Sequence, residues 1–401
     1  MTNEYTAEEF ASMIPNNVGL DDDARSRLLC VFEILKTLTD ANHGLTTSQI
    51  REILEARNAS KKKPSEPSVL SDIKAIAENS YPTIDIERPT RGKSGGFKCH
   101  KVLFSSAQAR LLINIVKTCK FITESECNSL CESLESLISI YEQEKIVSDV
   151  FVDERARPRE SNVFEVADIC AEAINLGKKV SFEYCYCGLD GKDHLVPKEN
   201  GESIYTETPI ALIFSNGNYY LETWPEVIDE NAERKHFDRR LDRMRNVRIS
   251  NEKAVTNDYI ESLKTSVPRR TRQMFDMFAT EKLCELFLEV DSYASNIVFA
   301  KFGHDCKFEN ITTNKEGRQI GYLRIGVYLS PTFYRWLCGM GAKVQIAEPK
   351  GDLWEQAGSW SKLPTSAMSH SELVADYHHA VNGYTKYLKE ILAMYSSKKA
   401  Q

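Results

Sequence analysis

No apolar run in the chain approaches the roughly 18 residues needed to cross a bilayer. The opening segment MTNEYTAEEF is acidic and polar, unlike a secretory signal, so a cytoplasmic protein is expected. Catalytic signatures are equally scarce. The glycines from Gly92 to Gly96 lack the GxxxxGKS/T phosphate loop, and neither GxSxG nor an HExxH helix occurs. His378 and His379 have no acid placed as a catalytic partner, and the eight histidines form no metal spacing. Cys185-Tyr186-Cys187 is too close for a zinc pair, and no second CxxC or HxxxH half-site follows it. No enzyme, metal or cofactor is therefore expected. The eleven cysteines sit in apolar helical runs, as with Cys30, Cys119, Cys170 and Cys338. That suits small core residues in a reducing compartment better than disulfides.

What remains is an ordinary globular composition. The 401 residues are 42% hydrophobic and 27% charged with a net charge of −7, enough for about two to four domains. Residues 1–20 read as a polar tail. Asp21 to Asp23 can cap a helix with an apolar face of Leu28, Val31, Phe32, Leu35 and Leu38. In LTTSQIREIL, Thr46 and Gln49 form a capping box, and Ser65 caps a third helix with Val69, Ile73 and Ile76 inward. At about 100° per residue, Ser68, Ser71, Lys74 and Ala75 of that helix face outward. TIDIERP and the Gly-rich RPTRGKSGGF then suggest a two-stranded wing.

Residues 21–103 thus read as a winged helix-turn-helix. From Arg57 to Lys101 there are ten Lys/Arg against five Asp/Glu, a local excess of five positive charges on an acidic chain. Duplex DNA explains such a distribution, because phosphate neutralisation supplies much of the affinity. The expected DNA contacts are Lys61, Lys62, Lys63, Arg91 and Lys93 to phosphates, with Ser65, Ser68, Ser71 and Lys74 on the groove-facing helix. The competing reading is a winged helix used only for protein contacts.

Residues 104–161 read as a helical linker and dimerisation region. Leu111, Leu112 and Ile115 mark one helix, and Thr123 with Glu126 caps another carrying Leu130, Leu134, Leu137, Ile138 and Tyr141. These stripes need a partner, and a homodimer is expected. Residues 162–255 are rich in short strands punctuated by Gly and Pro, which suggests a small antiparallel β-barrel. Within it, GNYYLETWPEVIDENAERKHFDRRLDRMRNV joins an aromatic strand to an arginine-studded one. Tyr220, Glu222 and Trp224 alternate with Tyr219, Leu221 and Thr223 across two strand faces. From Glu233 to Arg248 there are seven Lys/Arg against three acids. Guanidinium forks beside tyrosine rings suit a planar or phosphate-bearing anion. The simpler alternative is a solvated basic strand edge that resists aggregation.

GNYYL followed by LDRMRNV resembles the signature of the WYL-domain transcriptional regulators, with Tyr219 in the place of the name-giving Trp. VSFEYCYCG from Val180 and TPIALIF from Thr208 resemble the family's first strand and its Pro-containing second segment, in the family's order. The resemblance implies an Sm-like five-stranded barrel and a ligand-sensing role in bacterial transcription regulation. By the same likeness, Ser181, Tyr220, His236, Arg240 and Arg243 are the expected effector-binding residues, and the effector is a nucleotide, an oligonucleotide or another anion. Two extra residues beside Leu241 leave open whether Arg239 or Arg240 faces the pocket. Asp242 or Glu222 could instead hold Arg243 in a salt bridge. The third helix of the family's N-terminal domain commonly carries Arg-Asp-Ile, where this chain has Ser71-Asp72-Ile73. Residues 270–350 resemble the family's C-terminal WCX extension, with Trp336 the matching aromatic and a packing anchor. Residues 351–401 form a helical tail. The expected fold is multi-domain α+β: winged helix-turn-helix, helical linker, Sm-like barrel and α+β extension. The expected partners are operator DNA, a nucleotide or single-stranded nucleic-acid effector, and a second copy of the chain. An alternative of a different class is an Sm-like single-stranded nucleic-acid-binding protein with no promoter-specific role.

Overall fold

The computed structural model describes residues 5–14, 24–57, 63–79, 85–89, 95–100, 104–147, 158, 162–226, 236–277, 283–349 and 368–396. The architecture is mixed α+β with several antiparallel sheets, none closed. Two compact units, 1–161 and 162–401, divide the chain. Among the described residues no helix is long and apolar enough to cross a membrane.

The first unit begins inside the expected polar tail. A capping box of Thr6 and Glu9 starts α1 (Ala7–Ser12), which buries Phe10, and Ile14 just beyond it is buried too. The tail was misread because its apolar residues are too few to show a period. Then follow α2 (Ala24–Leu38), α3 (Thr47–Arg57) and α4 (Glu66–Asn79). The expected box at α3 forms: the Gln49 N–H donates to Thr46 Oγ1 at 3.3 Å, and the Thr46 N–H to Gln49 Oε1 at 2.9 Å. Val31, Leu35, Leu38, Ile50, Ile53, Val69 and Ile73 share one core. Arg27 of α2 bonds Asp72 of α4 through two nitrogens, at 2.7 and 3.3 Å. An antiparallel pair, β1 (Ile86–Glu87) and β2 (Lys98–Cys99), lies beside a bridge between Leu45 and Phe97. Gly96 permits that bridge, since a Cβ there would stand 2.1 Å from the Leu45 carbonyl carbon.

The linker holds α5 (Ser106–Thr118), α6 (Glu124–Glu135) and α7 (Ile140–Val147). The expected long second helix is broken after Glu135. Gln143 Nε2 donates to the Glu135 and Ile138 carbonyls at 2.8 and 3.2 Å, satisfying groups the helix leaves open. Inward positions are Ala109, Ile113, Cys127, Cys131 and Ile138, while Leu111, Ile115 and Leu130 face solvent. The leucine stripes are therefore not the core.

The second unit opens with α8 (Val163–Leu176), ended by Gly177 at φ 61°, then β3 (Lys178–Cys187), β4 (Asp193–Leu195), β5 (Ile204–Ser215), β6 (Asn218–Trp224) and β7 (Phe237–Arg240). A 3-10 turn, Leu241–Arg243, leads into β8 (Met244–Lys253). The strands run β4-β3-β5-β6-β7, with β8 paired to β3. The sheet stays open, unlike the barrel expected, because β7 and β8 are joined by the turn without pairing. A helix absent from the sequence reading, α9 (Asp258–Gln273), lies on β5 and contains Pro268.

Beyond it, β9 (Leu283–Asp291), α10 (Ser295–Phe302), β10 (Glu309–Thr313), β11 (Gln319–Tyr328), α11 (Pro331–Met340) and β12 (Val344–Ala347) form a β-α-β-β-α-β unit. Its antiparallel order is β10-β11-β9-β12, the split arrangement. Ser330 caps α11 with Pro331 in its first turn. Trp336 packs on Phe275, Phe302 and Phe333, as a packing anchor should. The last helix, α12 (His370–Ser396), lays Leu373 on Phe287 and accepts the Glu285 N–H at Asp376 Oδ2, 2.9 Å. Its final turns, with Leu392 and Tyr395, are exposed.

Candidate functional site

On α4 the exposed positions are mixed, with Leu70 among Glu66, Ser71, Lys74 and Glu78, and Ser68 is half-buried. The Ser65 hydroxyl accepts the Ser68 N–H at 3.3 Å and lies 2.7 Å from the Ser68 hydroxyl. Ser71 and Lys74 are exposed, with Lys74 3.7 Å from Glu78. Lys63 pairs with Glu55 at 3.0 Å, so its charge is shared with α3. Lys61, Lys62, Arg91 and Lys93 lie outside the described residues.

The sheet of the second unit decides between the two arginines. Tyr220 stands directly opposite Arg240, and Leu221 opposite Arg239, so Arg240 shares the face of Tyr220 and Arg239 does not. Arg239 is structural. Its guanidinium bonds Glu207 at 3.2 and 2.5 Å and lies 4.6 to 5.9 Å from the rings of Phe237, Tyr205, Tyr184 and Phe182. Arg240 binds Asp242 at 3.0 and 2.6 Å and donates to Asn218 Oδ1 at 2.9 Å. Its hydrogen bonds to Asp242 outweigh burial and hold its pKa above the ordinary value.

The face of Tyr220, Glu222 and Trp224 is roofed by α9. Trp224 meets Ile260 and Leu263, and Tyr220 meets Val267 and Met274. Between them Arg270 grips Glu222 through two nitrogens at 2.5 and 2.8 Å, with Glu222 0% exposed. Burial works against the Arg270 charge, but the Glu222 bonds and charge prevail and raise its pKa. His236 joins this cluster, its Nε2 3.1 Å from both Arg270 and Glu222. Only 6% exposed, His236 does not line an open pocket as expected. Tyr220 is buried to the same degree, and that burial, opposed by Arg240, raises its phenol pKa. No sequence signal marks Arg270, because Pro268 disguises the helix that carries it.

The five expected effector residues are therefore not one cluster. Tyr220 and Arg240 are neighbours, and His236 lies deeper under α9. Ser181 is hydrogen-bonded to Thr206 at 3.3 Å, seven residues along β5 from the Ile213 that pairs with Tyr220. Arg243, on the 3-10 turn, is exposed and has no ion pair among the described residues. Its two candidate partners are taken, Asp242 by Arg240 and Glu222 by Arg270. The accessible part of the predicted site is thus the edge formed by Arg240 and Arg243. Among the described residues no group of His, Cys, Asp and Glu could hold a metal ion, and the eleven cysteines are free thiols. Compared with known proteins, the chain matches no family model and no curated protein.

Proposed function

We propose that this protein is a ligand-responsive DNA-binding transcriptional regulator of the WYL-domain type. Its first unit would contact duplex operator DNA, and the sheet from β3 to β8 would sense an anionic effector at the Arg240 and Arg243 edge. The carrying observation is the element order of the second unit. One helix, α8, is followed by six strands, β3 to β8, with Leu241-Asp242-Arg243 on the turn between the last two and Arg243 without an ion pair among the described residues. That order fits an Sm-like domain whose Leu-Asp-Arg-Met segment meets the ligand. The first unit supports the reading separately: the helices α2 to α4, the two-stranded β1–β2 pair and the Leu45 bridge suit a winged helix-turn-helix with α4 as recognition helix. The β-α-β-β-α-β unit stands where a WCX extension would. Regulation would be a coupling free energy, in which the effector favours one homodimer geometry and so changes the half-site spacing that two α4 helices meet.

The test is a mobility shift of the full chain on duplex DNA from upstream of its own gene. Binding should occur and weaken steeply as salt rises. Loss of Lys61, Lys62 and Lys63 together should weaken it across all sequences, whereas changing Ser68 or Ser71 should alter operator preference. Added single-stranded oligonucleotide should change duplex affinity, and Arg243→Ala should abolish that response while basal duplex binding persists. Absence of duplex binding at low salt overturns the proposal. Tight single-strand binding alongside that absence favours the Sm-like single-strand-binding alternative.

A further inference from the structure

A cleft on the second unit carries two cations that have no carboxylate partner among the described residues. It has a volume of about 470 Å³ and lies among the β5–β6 turn, α9 and α10. It is lined by apolar Ile213, Phe214 and Val267 beside polar Asn216 and Thr271, and its cations are Arg272 and Lys301. None of these residues belongs to the Arg240 and Arg243 edge. We propose that this cleft binds a small amphipathic organic acid, its anionic group between Arg272 and Lys301 and its apolar body on Ile213, Phe214 and Val267.

Lys301 is held in an unusual setting. Its ammonium donates to the Met274 carbonyl at 2.7 Å and lies 4.0 Å from the Phe275 ring centroid. Among the described residues neither Lys301 nor Arg272 has a carboxylate within ion-pair distance. The acid that most influences Lys301 is Asp276, and its two oxygens are committed to Asn216 at 2.9 Å and Arg335 at 2.6 Å. Burial, only partly offset by Asp276, lowers the Lys301 pKa to about 8. A half-buried ammonium without a counterion opposes folding, the kind of arrangement found at ligand sites. Asp276 and Met277 have φ of 52° and 56°, so the turn that places Met274 and Phe275 under the amine is strained as well. Size agrees with a metabolite, for which clefts of roughly 300–1,000 Å³ are usual. An adjoining cleft of about 390 Å³ shares Arg272 and Lys301 but ends at Asp305, whose negative charge favours placing the ligand body on the Ile213 side.

The inference does not depend on DNA binding, so its probe is the amphipathic sulfonate 8-anilino-1-naphthalenesulfonate, titrated by fluorescence into the full chain, with phenylacetate as competitor. Arg272→Ala changes an exposed side chain and should weaken probe binding about tenfold or more, the worth of one charge-assisted bond. Lys301→Met should do the same, and Lys301→Arg should restore it. Lys343→Ala, which changes an exposed lysine outside the cleft lining, should leave it unchanged. Wild-type affinity should fall as pH rises through 8, with Asp276, Arg272 and Asp305 the charged groups facing the amine, and this pH dependence should vanish in Lys301→Met. Unaltered probe affinity in Arg272→Ala, or failure of phenylacetate to compete, overturns the proposal, as does a wild-type affinity flat from pH 7 to 9.

Discussion

Adjacent Arg239 and Arg240 lie on opposite faces of the sheet, and only Arg239 holds a buried carboxylate. Arg239 and Arg270 each hold a buried glutamate, Glu207 and Glu222. A buried pair contributes little net stability, but removing one partner strands the other and costs about 3–5 kcal/mol. Arg270→Met should therefore lower the urea midpoint of the second unit strongly, while the double variant Glu222→Leu with Arg270→Met should recover most of the loss. A double variant as unstable as the single one would show that the pair itself, and not the stranded carboxylate, is what matters. Lys301 behaves oppositely. Its folded pKa of about 8 lies below the ordinary 10.5, so between those values the unfolded chain binds more protons and stability rises with pH. Below pH 8 the penalty is fully present. Lys301→Met should thus be more stable than wild type at pH 7, with the advantage shrinking by pH 10, as denaturant titration at both pH values would reveal.

At the scale of elements, the Leu45 bridge is the most exacting contact of the first unit. Leu45 and Phe97 exchange backbone bonds of 3.1 and 2.8 Å, and Gly96 leaves no room for a Cβ against the Leu45 backbone. Gly96→Ala should destabilise the first unit by about 1–3 kcal/mol and leave the second untouched, measurable as a shift in one unfolding transition only. Elements with clear punctuation were legible beforehand: Thr46 with Gln49 and Thr123 with Glu126 each start a helix where their spacing says. Two elements were not. The first, α1, shows too few apolar residues to reveal a period. The second, α9, carries Pro268, which removes a backbone donor and ordinarily ends a helix, yet contacts through Ile260, Leu263 and Arg270 hold this one together. Missing α9 meant missing the roof over Tyr220 and His236, and hence half of the expected pocket.

For the whole molecule, exposed apolar side chains bear on assembly. Leu111 and Ile115 are 60% and 50% exposed, and Leu130 joins them on the surface of the first unit. The proposed homodimer would cover such a surface. Light scattering should give twice the 45.6 kDa chain mass at micromolar concentration, and Leu111→Lys with Ile115→Lys should return it to one. A wild-type mass of one chain with and without DNA would rule the dimer out. The sequence alone determined where charge concentrates, which strands alternate and which helices are capped, because these depend on neighbours within a few residues. It could not determine which of Arg239 and Arg240 shares the face of Tyr220, that Glu222 belongs to Arg270, or that Arg272 and Lys301 meet in one cleft. Those depend on strand register and on the docking of α9 and α10, where residues tens of positions apart compete for the same partner and only the packed chain decides which one takes it.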